Sequence, residues 1–136
     1  MRKKTIRALM LIPKTHPCVV ELYQDDAFLQ QALQYGTSEY ATVSILKLSD
    51  YAGIIYNYDA ALYAIEGNRK VGKRILVGIC YVVGIRDGKL TSLSDKAIER
   101  YMERFWEPED FSGDQLSDSY FDCLVDDLQK QFETAL

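Results

Sequence analysis

The chain is poor in the residues that build metal and covalent chemistry. It has one histidine, His16, and three cysteines, Cys18, Cys80 and Cys123, in 136 residues. The cysteines are odd in number, widely spaced and without a C-x-x-C pair. That argues against a disulfide framework and leaves no zinc-ligand spacing. Free thiols of this kind suit a reducing compartment, so a cytoplasmic protein is expected. There is no serine nucleophile elbow and no H-E-x-x-H. The nearest thing to a Cys–His site is His16 with Cys18, which has no third group to orient it. Long apolar runs are missing too: none approaches the ~20 residues that cross a bilayer. Ala8–Ile12 is ended by Pro13 and Lys14, too early for a signal peptide, and no membrane contact is expected. No repeat or low-complexity segment is present.

Tyrosine, in contrast, is plentiful, with ten residues. A tyrosine packs its ring and keeps its hydroxyl wet, which suits half-buried sheet faces or a contact surface. The chain is 48% hydrophobic, and its length fits one domain, residues 1–136, that can bury a real core without metal or disulfides. Charge is uneven. Of the 16 Lys and Arg only Lys130 lies beyond residue 106, whereas nine of the 20 Asp and Glu do. A basic-leaning body thus carries an acidic C-terminal segment.

Ile6–Ile12 and Cys18–Tyr23 read as a hairpin around the proline-flanked turn 13–17. Asp25 or Asp26 caps a short helix with the stripe Phe28, Leu29, Ala32 and Leu33, and Gly36 stands where it would stop. Thr42–Leu48 and Gly53–Tyr58 are the next strands. Ile75–Ile85 is so apolar that it reads as one strand covered on both faces. Asp87-Gly88 is a hairpin signal before Leu90–Leu93.

Ser94 caps a helix with the stripe Ala97, Ile98, Tyr101, Met102, Phe105 and Trp106, ended by Pro108. Ser112 and Gln115 fit a capping box for a long last helix. Its apolar face reads as Leu116, Tyr120, Phe121, Leu124, Val125, Leu128, Phe132 and Leu136. The expected class is α+β, a mainly antiparallel sheet of about five strands with three helices, two of them C-terminal.

Two clusters are candidate sites. Gly67, Gly72 and Lys73 match the G-x-x-x-x-G-K of a phosphate loop, but Arg74 stands where the Mg²⁺-binding hydroxyl belongs and a strand follows instead of a helix. Two readings remain. One is a solvated basic loop; the other is an anion, nucleotide or nucleic-acid surface made by Asn68, Arg69, Lys70, Lys73 and Arg74. The second cluster is Asp114, Asp118, Asp122 and Asp126, spaced by four along the last helix. Carboxylates at i, i+4 repel mildly, so the row is either a solvated face, a ridge for a basic partner, or a cover for the chain's own basic loop. A sequence pI near 5.0 and the lack of a groove-reading motif weigh against nucleic acid as the partner.

The order of several segments carries a resemblance. It runs from Ile6-Arg7-Ala8-Leu9, Ile12-Pro13-Lys14 and Pro17 to Leu22, through Ile54-Ile55-Tyr56-Asn57, Asn68-Arg69, Val77-Gly78 and Val82-Val83-Gly84. It ends with Ser92-Leu93-Ser94-Asp95, Ile98-Glu99-Arg100-Tyr101 and Arg104-Phe105. Across roughly residues 5–111 the chain resembles a DUF3846-like family of domains of unknown function, found in phages and in mobile elements of gut Firmicutes. The resemblance implies a small cytoplasmic accessory protein and brings no catalytic residues. With no catalytic motif in place, the expectation is a non-enzymatic protein without cofactor or metal. It would act on a protein partner through the acidic helix or the tyrosine-rich sheet surface, and a homodimer is one form of that contact.

Overall fold

The computed structural model describes residues 4–35, 41–63 and 65–135, with 132–135 described by backbone only. Gly36, the expected helix stop, lies outside the described residues. Thr5–Leu11 (β1) and Cys18–Tyr23 (β2) form the expected antiparallel hairpin, with Ile6 opposite Leu22 and Ala8 opposite Val20. Asp25 caps Asp26–Ala32 (α1) by accepting a 2.8 Å hydrogen bond from the Phe28 amide. Val43–Lys47 (β3) and Ala52–Asn57 (β4) pair next, and a 3-10 turn over Ala60–Tyr63 follows.

Gly67–Val71 (β5) and Arg74–Val77 (β6) make a separate two-stranded ribbon. Cys80–Arg86 (β7) and Lys89–Thr91 (β8) are joined through Asp87 and Gly88, at φ 53° and 74°, the paired positive values of a type I′ turn. Asp95–Arg104 (α2) and Gly113–Ala135 (α3) complete the chain.

The main sheet has the order β2-β1-β7-β4-β3, and β8 pairs with the far half of β7. Every strand pairing among the described residues is antiparallel. The class is α+β as expected, with six strands in this sheet and two more in the ribbon. One face buries Leu9, Leu11, Ile54 and Val82 against Ile98 and Tyr101 of α2 and Phe105 just beyond it. The other buries Ile6, Ala8, Ile55 and Val83 against Leu29 of α1 and Leu33 just beyond it. With a helix on each side, all six residues of β4 are buried.

The expected single strand Ile75–Ile85 is in fact two. Gly78, at φ 74°, breaks the run, and its amide donates to Glu66 O at 2.8 Å. β6 stays with the ribbon while β7 enters the sheet between β1 and β4. Both halves are buried, so hydrophobicity runs unbroken across a chain reversal that only the glycine marks. The supposed basic loop 69–74 is likewise mostly strand: Val71 pairs with Arg74 across a tight turn in which Gly72 takes φ 62°.

Candidate functional site

The two clusters singled out in the sequence meet each other. α3 starts at a capping box in which Gln115 N donates to Ser112 Oγ at 3.2 Å and Ser112 N donates to Gln115 Oε1 at 2.8 Å. The helix then lies on the ribbon. Ser119 Oγ accepts from Ile75 N at 2.8 Å and donates to Lys73 O at 3.0 Å, so a helix side chain satisfies the open edge of β6. Leu116 packs on the small cluster of Ala60, Ile65 and Val77. The approach is close at Gly67, where a Cβ would lie 2.7 Å from the Phe111 ring and 2.8 Å from Leu116.

The charges of this contact pair off. Lys73 forms an ion pair with Asp126, and Arg74 Nη2 lies 3.1 Å from Asp127 Oδ2. The Arg74 guanidinium also sits 5.5 Å from the ring centres of both Tyr56 and Tyr58. Tyr58 donates its hydroxyl proton to Asp127 at 2.6 Å. Partial burial alone would raise the Asp127 carboxyl, but the hydrogen bonds from Tyr58 and Arg74 and the arginine charge outweigh it and hold the carboxyl below its usual range. The Tyr58 phenol is pushed up to about 12, first by burial and then by its bond to the Asp127 carboxylate.

Asn68 and Arg69 face the other way, into the core, and both are fully buried. Arg69 donates from Nε to Phe105 O at 3.0 Å, from Nη2 to Thr15 O at 2.7 Å and from Nη1 to Asn68 Oδ1 at 2.8 Å. Asn68 Nδ2 in turn donates to Leu11 O and Gly78 O, both at 2.8 Å. Arg69 therefore ties the β1–β2 loop to the end of α2 through carbonyls, with no carboxylate partner among the described residues. Burial lowers its pKa from the usual guanidinium value, partly countered by the nearby Cys80 and Glu109.

Of the five residues expected to face an anion, then, two are buried latches and two are paired with α3. Lys70 is the exposed remainder. Of the four aspartates, Asp126 covers the ribbon, while Asp114, Asp118 and Asp122 are exposed. Covering the chain's own basic segment was one of the open readings of this row.

The expected apolar face of α3 divides between two sides of the helix, with the Phe132 side chain and Leu136 lying outside the described residues. Leu116 and Tyr120 turn inward, but Phe121, Val125 and Leu128 are 57%, 55% and 46% exposed. At 100° per residue these three share one stripe, diametrically opposite Ser119 and Cys123, which are buried against the ribbon. Asp118 and Asp122 line one border of the stripe.

His16 does not pair with Cys18. Its ring stacks on Trp106 with centroids 4.0 Å apart and planes at 10°, and Nδ1 donates to Trp106 O at 2.6 Å. Cys80 is buried, which pushes its thiol up to about 12. Among the described residues no group of three or more His, Cys, Asp or Glu is placed to hold a metal ion, and no helix is long and apolar enough to cross a membrane. No protein-family model, no curated protein and no solved structure matches this chain.

Proposed function

We propose that this is a non-enzymatic binding protein whose contact surface is the outward stripe of α3, and that the partner presents a cationic amphipathic helix. The observation that carries the reading is the exposure of Phe121, Val125 and Leu128 on the helix side opposite the packed one. Apolar side chains at i, i+4 and i+7 match the spacing by which one helix seats on another. Asp118 and Asp122 beside them select a basic partner, because no cation among the described residues pairs with either.

A second copy of the chain is the weaker occupant. Two antiparallel copies crossing near Val125 would bring the acidic border of each helix against the same border of the other. The accessory role in a phage or mobile element that the sequence resemblance implies fits a chain built for recognition, where regulating or countering host machinery needs a surface and no turnover.

The test is a titration with an idealised Lys/Leu amphipathic helical peptide, beside a scrambled sequence of the same composition and a Glu/Leu counterpart. The reading expects the Lys/Leu peptide to bind, the other two to bind at least about tenfold more weakly, and the affinity to fall with added salt. Equal binding of all three peptides removes it. Concentration-dependent dimerisation abolished by Val125→Asp would reassign the stripe to self-association.

A further inference from the structure

A second surface, away from α3, has the chemistry of an anion site with an aromatic wall. Where the first turns of α2 leave the sheet, a groove of about 600 Å³ opens between the β3–β4 turn, the end of β7 and the segment joining β8 to α2. That volume lies within the range of small-ligand sites, roughly 300–1,000 Å³. Its lining holds three cations, Arg86, Lys96 and Arg100, and no carboxylate. In a chain of net charge −4 such a one-sided lining stands out.

The three cations are also uncommitted: no ion pair joins them to an acid among the described residues. Asp95, next to Lys96, is engaged with Arg7 at 2.7 Å, and Asp50, next to Tyr51, with Lys47 at 3.2 Å; Asp87 and Glu99, next to Arg86 and Arg100, form no ion pair with them. Beside them stands Tyr51, 79% exposed, the most exposed large hydrophobic side chain among the described residues. Its position is fixed from both sides: its amide donates to Ser49 Oγ at 3.2 Å and its carbonyl accepts from Ile85 N at 2.8 Å. A ring held clear of the core offers a face on which a flat group can stack. Leu93 and Ala97 add apolar lining to the groove.

From this arrangement we infer that the groove binds a nucleoside phosphate, with the base against Tyr51 and the phosphates among Arg86, Lys96 and Arg100. The site is distinct from the 69–74 segment, whose arginines are occupied within the chain. A free nucleotide and a nucleotide unit of a single strand share this chemistry.

The test is a set of titrations of the full chain with ATP, inorganic tripolyphosphate and an eight-residue oligothymidylate, read by amide chemical shifts and calorimetry. ATP is expected to shift amides around Tyr51, Arg86 and Lys96 and to bind at least about fivefold more tightly than tripolyphosphate, the stacking contribution of one base. Arg86→Ala combined with Arg100→Ala should weaken ATP at least about tenfold, and Tyr51→Ala should erase the advantage of ATP over tripolyphosphate. All three residues are exposed, so the thermal midpoint should be unchanged and loss of binding cannot be put down to unfolding. Tighter, steeply salt-dependent binding of the oligonucleotide assigns the ligand to a single strand; the reverse order assigns it to a free nucleotide. Equal binding of ATP and tripolyphosphate, or shifts lying outside the groove, overturns the inference.

Discussion

Tyr58 donates a 2.6 Å hydrogen bond to Asp127 across 69 residues of chain, and Arg74 reaches the same carboxylate from the ribbon. One carboxylate thus fastens α3 to both β4's end and β6. Tyr58→Phe should destabilise the fold by about 1 kcal/mol, the net worth of one hydrogen bond. Asp127→Ala should cost more than that, since it leaves a part-buried guanidinium without its acid. Chemical denaturation of the two variants checks both the direction and the order.

The same contact sets a pH response. The folded Asp127 carboxyl titrates below its unfolded value, so its contribution is complete above about pH 4 and is lost as pH falls through the lower folded value. Tyr58 works at the other end. Its phenol is raised to about 12 in the fold, so its contribution is complete below about pH 10 and is lost as pH rises towards 12. Asp127→Asn should flatten the acid limb of stability against pH and Tyr58→Phe the alkaline limb. An acid limb of undiminished slope in Asp127→Asn would count against the assignment.

Arg69 is expected to be structural. Arg69→Ala orphans the carbonyls of Thr15 and Phe105 and leaves a void beneath them, which should cost more than about 3 kcal/mol. Arg69→Lys keeps the charge but cannot reproduce the fork to three acceptors, so it should recover only part of the loss. Full stability in Arg69→Lys would mean that charge alone is what the site needs.

Thiol chemistry should divide the cysteines. Cys18 is exposed on β2, whereas Cys80 and Cys123 are buried and the Cys80 thiol is raised to about 12. Under native conditions a disulfide reagent should therefore label one thiol quickly, and the other two only as the protein unfolds. Rapid native labelling of Cys80 would show that the core around Asn68 and Arg69 opens.

Local signals carried most of the fold. The Asp25 and Ser94 caps, the Ser112–Gln115 box, the β1–β2 hairpin and the Asp87-Gly88 turn each announce themselves within four or five residues, and each forms. The rest is held between segments. Ile75–Ile85 looks continuous because both of its halves are buried, in different sheets, and Gly78 alone marks the change. Asn68-Arg69 looks like surface because a buried arginine with only carbonyl partners has no local signature. Periodicity gives α3 an apolar face without saying which way it points; Ser119 bonding the β6 edge turns Phe121, Val125 and Leu128 outward. The groove at Tyr51 has no local motif, because Tyr51 comes from the β3–β4 turn and the cations from β7 and α2.

On the proposed function, the α3 stripe serves a partner and not the core. The direct test is the double variant Phe121→Ser with Leu128→Ser, measured together for thermal unfolding and for binding of the Lys/Leu peptide. Both side chains are about half exposed, so the account predicts a stability change within about 1 kcal/mol, twice the usual limit for a single surface substitution, alongside at least about a tenfold loss of peptide affinity. A variant that unfolds, or one that binds the peptide as the parent chain does, would contradict it.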